Sequence, residues 1–123
     1  MMLNMMGVNH LGGLLKNKIT KMKNWINKKI LITGANGFVG KALVRTLKEM
    51  GADNLLTPTS IEVNLTKEGD VKGFLQLHKP EIVLHLAGKV GGVAINKAKP
   101  AEFFYDNIMM GVLLMHNSYL NGV

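Results

Sequence analysis

Three glycines spaced three residues apart, Gly34, Gly37 and Gly40, constrain this chain more than any other feature. The β-branched run at residues 30–33 precedes them and has the character of a buried strand. Residues 38–50 follow, and Val39, Leu43, Leu47 and Met50 repeat there at helical spacing as one apolar face. Strand, glycine-rich turn and helix in this order are the context that a dinucleotide-binding fingerprint requires.

Each glycine in this loop has its own physical reason. Gly34 lets the chain turn sharply off the strand, Gly37 lets backbone N–H groups approach a pyrophosphate, and Gly40 lets the helix pack closely. We expect phosphates at the helix N-terminus, where unpaired N–H groups and the helix dipole favour negative charge. A glycine-rich turn without a ligand is the alternative, and the flanking strand and helix favour the nucleotide site.

Composition and charge exclude several other functions. A chain of 123 residues allows one small domain, and the absence of cysteine excludes disulfides and thiolate chemistry. The four histidines lack metal-ligand spacing, so no metal site is expected. No apolar run is long enough to span a membrane. The net charge of +7 prompts a test for nucleic-acid binding.

The positive charge is concentrated at the N-terminus. Residues 1–29 hold six lysines and no acidic residue, whereas residues 30–123 hold nine basic residues against eight acidic ones. A nearly neutral domain argues against a nucleic-acid partner. Residues 1–28 are predicted to be a basic, poorly ordered leader without the features of a secretory signal, and we expect a cytoplasmic protein.

The rest of the chain alternates between strand and helix patterns. Strands are predicted at 29–33, 54–57 and 81–87, and helices at 38–50, from an N-cap at Thr66 to Pro80, and at 100–120. This is an α/β pattern, the Rossmann-type β-α-β-α-β-α half of a doubly wound parallel sheet, with expected strand order 3-2-1. Residues 29–123 would form the N-terminal part of an NAD(P)-binding domain, truncated before strand 4. Strand 1 would then be an open edge.

Ligands of such sheets bind at the carboxyl ends of the strands. An acidic residue normally bonds the adenosine ribose after strand 2 when NAD is preferred, but Asp53 lies at the opposite end of that strand. Thr57, Thr59 and Ser60 follow the strand without charge. Nothing here repels a 2′-phosphate, so the sequence favours NADP, although Thr59 and Ser60 also suit a simple turn.

Two further segments reach the same end of the sheet. We expect Asn64 and Leu65 beside the adenine, although both also suit the entry to the second helix. Residues 86–88 would pass under the cofactor, and Asn107 has either a structural hydrogen bond or a cofactor contact. Residues 103–105 are aromatic and are assigned to the core. The predicted cofactor-binding residues are Gly34, Asn36, Gly37, Phe38, Val39, Gly40, Asn64, Leu65, Leu86, Ala87, Gly88, Val90 and Asn107.

The run Leu-Ala-Gly-Lys-Val-Gly-Gly at residues 86–92, followed by Asn96, Pro100, Phe103 and Asn107, carries a resemblance to a known family. Residues 30–123 resemble the N-terminal part of the GDP-L-fucose synthases, which are extended short-chain dehydrogenases/reductases. The resemblance implies 3,5-epimerisation of GDP-4-keto-6-deoxy-D-mannose, followed by reduction of its C4 ketone with hydride from NADPH. It implies a homodimer for full-length relatives.

The same resemblance implies a catalytic serine and a Tyr-x-x-x-Lys pair, which this chain lacks. Met109 stands four residues after Tyr105, and Val123 four residues after Tyr119. We therefore predict no catalytic residue here, no activity from the chain alone, and binding of a GDP-sugar only if the missing C-terminal part is supplied. The alternatives are part of another nucleotide-sugar epimerase or dehydratase of this class, or a noncatalytic nucleotide-binding or interaction module.

Overall fold

A computed structural model describes residues 13–14 and 24–123 of the chain. It contains the predicted alternation of strands and helices, together with one short helix that was not predicted. The elements are β1 (Ile30–Thr33), α1 (Phe38–Glu49), β2 (Leu55–Leu56), α2 (Glu68–His78), β3 (Ile82–His85), α3 (Val93–Ala98) and α4 (Pro100–Leu120). Most of the predicted leader lies outside the described residues. At its end, Ile26 packs against the core below α1.

The three parallel strands form one sheet in the order β2-β1-β3. This confirms the parallel α/β half-fold, but the predicted order 3-2-1 is wrong. β1 is the central strand and is paired on both sides, so the open edge predicted for it is not there. Among residues 13–14 and 24–123, the edge strands of the sheet are β2 and β3.

The lengths of the strands explain this order. β2 has only two residues, so it offers few backbone N–H and C=O groups for pairing with a further strand. In contrast, all four residues of β3 pair with β1. Glu81 fixes the start of that pairing, since its N–H donates to the Lys29 carbonyl at 2.8 Å. Its carboxylate accepts the Lys28 ammonium at 2.6 Å and the Lys29 N–H at 2.9 Å, and these hydrogen bonds lower the pKa of Glu81.

Alternation along β1 divides the core between the two faces of the sheet. Ile30 and Ile32 are fully buried on the face covered by α1, where Leu47 joins them. Leu31 is buried on the opposite face with residues of α2 and α4, namely Val71, Leu75, Leu113 and Leu114. A parallel sheet with helices on both faces is the doubly wound arrangement, and it holds the carboxyl ends of the strands together.

The helix boundaries agree with the predictions except at one N-cap. Gly51 follows α1 with a φ of +92°, and its N–H donates to the Lys48 carbonyl at 2.9 Å, as expected for a glycine beyond a helix C-terminus. The N-cap of α2 is Lys67 and not Thr66. Thr66 is occupied in the preceding turn, where its hydroxyl donates to Asn64 Oδ1 at 2.7 Å.

Two predicted burial assignments are also corrected. Phe104 and Tyr105 on α4 are exposed, because this helix packs on the sheet and on α2 through Leu113 and Leu114 further along the chain. In α1, the exposed Val39 does not join the apolar face that includes Leu47. None of the helices in the described part of the chain is long and apolar enough to cross a membrane.

Candidate functional site

A cavity of about 590 Å³ opens at the carboxyl ends of the three strands. Three segments form it: the loop after β1, the chain between β2 and α2, and the loop after β3, with one side of α4 closing it. The lining residues are Thr33, Gly34, Ala35, Asn36, Pro58, Thr59, Ser60, Val63, Asn64, Leu65, Thr66, Ala87, Gly88, Lys89, Asp106 and Met110. This volume lies within the range of small-molecule and cofactor sites.

The glycine loop at one side of the cavity is held by close backbone contacts. Gly34 has a φ of +71°, and a Cβ atom there would lie 2.6 Å from the Ala87 nitrogen. A Cβ on the buried Gly40 would overlap the Gly34 carbonyl oxygen and lie 2.6 Å from the Ala35 Cα. Both positions therefore require glycine, and the loop is packed on itself and on residues 86–87, which follow β3.

The N-terminus of α1 carries backbone donors that no side chain caps. Its N-cap is Gly37, no side chain makes a capping hydrogen bond there, and its first turn contains no acidic residue. The N–H groups of the first turn have no partner within a helix. Phe38 is 95% exposed, so its side chain does not cover these donors. The arrangement suits an anionic group such as a pyrophosphate.

Thr33, at the end of β1, connects the loop after β3 to the sheet and was not predicted. Its buried hydroxyl accepts the N–H groups of Leu86 at 3.2 Å and Ala87 at 3.3 Å, and lies 2.6 Å from His85 Nδ1. Because the hydroxyl has one hydrogen, we assign it as the donor to an unprotonated Nδ1. Desolvation lowers the pKa of His85, which agrees with a neutral ring.

Asn107 holds the same loop from the α4 side. Its Oδ1 accepts the Lys89 N–H at 2.7 Å, and its Nδ2 donates to the Lys89 carbonyl at 3.0 Å. The structural hydrogen bond weighed for Asn107 in the sequence is therefore present. A direct contact with a cofactor stays a prediction.

Lys89 itself is tied to α4 through its side chain. Its ammonium lies 2.6 Å from Asp106 Oδ2 and 5.9 Å from the centre of the Phe103 ring. The hydrogen bond to Asp106 raises the pKa of Lys89. The pair places one positive and one negative group at the wall of the cavity.

Asn64 shapes the entry to α2, as the alternative interpretation proposed. Its Oδ1 accepts the N–H and the hydroxyl of Thr66 at 3.0 and 2.7 Å, and its own N–H donates to Asp70 Oδ2 at 3.2 Å. The residue nevertheless lines the cavity together with Leu65.

The structure brings part of the predicted site together. The predicted residues that line the cavity are Gly34, Asn36, Asn64, Leu65, Ala87 and Gly88. Those that do not line it are Gly37, Phe38, Val39, Gly40, Leu86, Val90 and Asn107. Some residues of the cavity were not predicted from the sequence. Thr33 is one of them, although a polar residue at the end of an otherwise apolar strand was an available signal. Asp106 and Met110 are others, and they reach the cavity only through the packing of α4. Within the described residues, no cluster of three or more His, Asp or Glu side chains is placed to hold a metal ion.

The comparisons with known proteins agree with this geometry. Residues 30–123 match the model of the NAD dependent epimerase/dehydratase family. The chain belongs to this family. The match covers the elements from β1 to α4.

Several similar proteins are named as enzymes of GDP-sugars. The chain is 40% identical over 95 residues to GDP-L-fucose synthase 1 of Arabidopsis thaliana, which covers 77% of the chain and 29% of that protein. It is 38% identical over 87 residues to GDP-L-colitose synthase of Yersinia pseudotuberculosis, covering 71% and 28%. Among solved structures, a GDP-mannoheptose C4 reductase from Campylobacter jejuni with NADP bound superposes with a TM-score of 0.76 at 40% identity, covering 80% of the chain and 31% of the reductase. The chain thus spans less than a third of the length of these proteins.

Proposed function

We propose that residues 30–123 are the NADP(H)-binding part of an enzyme similar to the GDP-L-fucose synthases. The cavity at the strand ends, lined by residues 34–36 of the glycine loop that leads directly into the uncapped N-terminus of α1, is the observation that carries this proposal. The relatives support the choice of cofactor, since a similar GDP-sugar reductase holds NADP.

The residues of the site suit distinct parts of the cofactor. The pyrophosphate would lie on the N–H groups at the start of α1, where Gly34 and Gly40 allow the loop to pack tightly. The adenine would contact Asn64 and Leu65, and the nicotinamide would extend toward Ala87, Gly88 and Val90. When bound, NADPH supplies the hydride, and this chain would bind and orient it.

The complete reaction that we propose for the whole enzyme is 3,5-epimerisation and NADPH-dependent 4-reduction of GDP-4-keto-6-deoxy-D-mannose. Neither tyrosine has a lysine four residues later, so we propose no catalytic acid and no turnover for these 123 residues alone. The GDP-sugar would bind only when the catalytic and substrate-binding parts are supplied.

A different GDP-sugar is the second candidate substrate, because similar proteins include a colitose synthase and a mannoheptose reductase. Longer coding sequence downstream distinguishes the candidates. A noncatalytic nucleotide-binding module remains the alternative from another class. The cytoplasmic location, the homodimeric state of the full enzyme and the poorly ordered leader at residues 1–28 remain predictions.

A fluorescence titration of the purified chain with NADPH tests the proposal. We expect saturable binding that is lost in Gly37→Glu, because the new carboxylate would stand at the N-cap of α1 where the pyrophosphate is proposed. The matched control is Gly92→Glu at the N-cap of α3, where a Cβ meets nothing within 4 Å. Binding that survives Gly37→Glu, or no binding by a folded wild-type chain, would contradict the proposal.

A further inference from the structure

A second groove, of about 410 Å³, lies on the outer side of the glycine loop. It shares Ala35 and Asn36 with the cavity, so the two spaces meet at the loop. Its other lining residues are Lys41, Val44, Arg45, Lys48, Glu49 and Thr57. The groove therefore runs between α1 and the end of β2.

This groove is strongly cationic. Lys41, Arg45 and Lys48 follow one another at intervals of four and three residues, which places them on one side of α1. Glu49 is the only acidic residue lining the groove, and its carboxylate lies 3.9 Å from Arg45 Nε in a largely exposed pair. Across residues 13–14 and 24–123, no acidic group lies within ion-pair distance of Lys41 or Lys48. The groove therefore carries positive charge that no acidic group of the described residues neutralises, and it lies next to a cavity large enough for a nucleotide.

The position of Thr57 indicates which part of a bound nucleotide would face the positive charge of the groove. In doubly wound sheets the residue after the second strand meets the adenosine ribose of a bound dinucleotide. Thr57 directly follows β2 and lines the cationic groove, whereas the next residues, Pro58 to Ser60, line the main cavity. An adenosine in the cavity would thus direct the 2′ position of its ribose into the groove.

We propose that Lys41 and Arg45 bind the 2′-phosphate of NADP(H) and that this contact sets the preference over NAD(H). The inference rests on the proposed function and adds the residues that distinguish a phosphate from a hydroxyl at the 2′ position of the ribose. Both side chains belong to α1 and are absent from the thirteen predicted site residues. Arg45 can turn from Glu49 to the phosphate, because their exposed pair is weak. Thr57 itself has no carboxylate to hold the 2′-hydroxyl of NAD(H), and Glu49, the one acidic residue that lines the groove, is paired with Arg45.

The test compares four nucleotides on three forms of the full chain. NADPH, NADH, adenosine 2′,5′-bisphosphate and adenosine 5′-monophosphate are titrated against the wild type, Lys41→Gln/Arg45→Gln, and the charge-matched control Lys72→Gln/Lys97→Gln on α2 and α3. All four substituted side chains are exposed, so the fold should be retained in both variants, which circular dichroism checks.

We expect the α1 double variant to bind NADPH and the bisphosphate about 10- to 100-fold more weakly, the range for loss of charged hydrogen bonds. Binding of NADH and the monophosphate should stay within about twofold, and the control should behave like the wild type. Unchanged NADPH affinity, or an equal loss for all four nucleotides, would overturn the assignment while leaving the cofactor site intact. A folded wild type that binds none of the four would instead overturn the proposed function and this inference with it.

Discussion

Two helices of this chain begin beside the same cavity, and their first turns are built differently. α1 begins at Gly37 with no capping side chain and no acidic residue in its first turn. α2 has Glu68 and Asp70 in its first turn, and Asp70 accepts the N–H of Asn64 from the turn that precedes it. The positive end of α2 is compensated by the protein's own carboxylates, and that of α1 is not.

The difference separates a helix end that completes the fold from one that is available to a ligand. Compensating α1 in the same way would stabilise the free chain, but a fixed carboxylate there would repel a pyrophosphate. Glycine at Gly34 and Gly40 likewise provides close packing without side chains over the donors. The comparison therefore predicts that changes at α1 alter cofactor binding, whereas changes at α2 alter only stability.

Gly40→Ala should have the largest effect. The added Cβ would overlap the Gly34 carbonyl oxygen, so the loop must shift, at a cost of about 1–3 kcal/mol in unfolding free energy and with at least about 100-fold weaker NADPH binding. Chemical unfolding and NADPH fluorescence measure the two effects. Gly69→Ala, in the first turn of α2 where a Cβ meets nothing within 4 Å, is the control and should bind normally. Normal NADPH binding by Gly40→Ala would contradict the proposed role of the α1 N-terminus.

Thr33→Val should have the next largest effect. It removes the side-chain acceptor of the Ala87 N–H and the donor to His85, while the Leu86 N–H keeps the Thr33 carbonyl at 3.1 Å, and we expect a cost of about 1–3 kcal/mol. Because these bonds hold the loop under the proposed cofactor, NADPH affinity should also fall. Thr33→Ser keeps the hydroxyl and should recover most of the affinity. Equal losses in both variants would mean that the methyl group, and not the hydroxyl, matters.

The neutral His85 should make stability depend on pH. Desolvation lowers its pKa in the folded chain, so the unfolded chain binds the proton more readily. The contribution of the neutral His85 to stability is fully present above the pKa of about 6.5 that histidine has in the unfolded chain. It is lost as pH falls below that value. Urea unfolding at pH 7.5 and 5.5 should give a smaller difference in His85→Gln than in the wild type. His116→Gln is the control, and an unchanged difference in both variants would contradict the role of His85.

Asp70→Asn should have the smallest effect, because it changes the stability of α2 and not the binding of NADPH. Loss of the carboxylate at the positive end of α2 should lower the unfolding free energy by about 0.3–1 kcal/mol. NADPH affinity should be unchanged, because the proposed pyrophosphate lies on α1. A loss of affinity in a variant of normal stability would show that α2 takes part in binding.

The local parts of the fold were predictable from the sequence. β1, its glycine loop and α1 lie within twenty consecutive residues, and each part has a steric or periodic signal. The strand order was not predictable in this way. It depends on β3 pairing with β1 and not with β2, which has only two residues. Local periodicity carries no information about which strand pairs with which.

The same limit explains the successes and omissions at the site. Gly34 and Ala87 line the cavity because parallel strands end at one edge of a sheet, and their contact with a cofactor stays a prediction. The role of Thr33 depends on a partner 52 residues away, and Phe104 was assigned to the core although the packing of α4 leaves it exposed. Apolar composition predicts that a helix is packed but not which of its residues are covered.

We propose that α1, and not α2, binds the cofactor phosphates. Amide resonances of the ¹⁵N-labelled chain, recorded with increasing NADPH, test it most directly. We predict the largest shifts at the amides of Phe38, Val39 and Gly40, with those of Gly69 and Asp70 little changed. Shifts centred on the first turn of α2, or a folded spectrum that NADPH leaves unchanged, would contradict it.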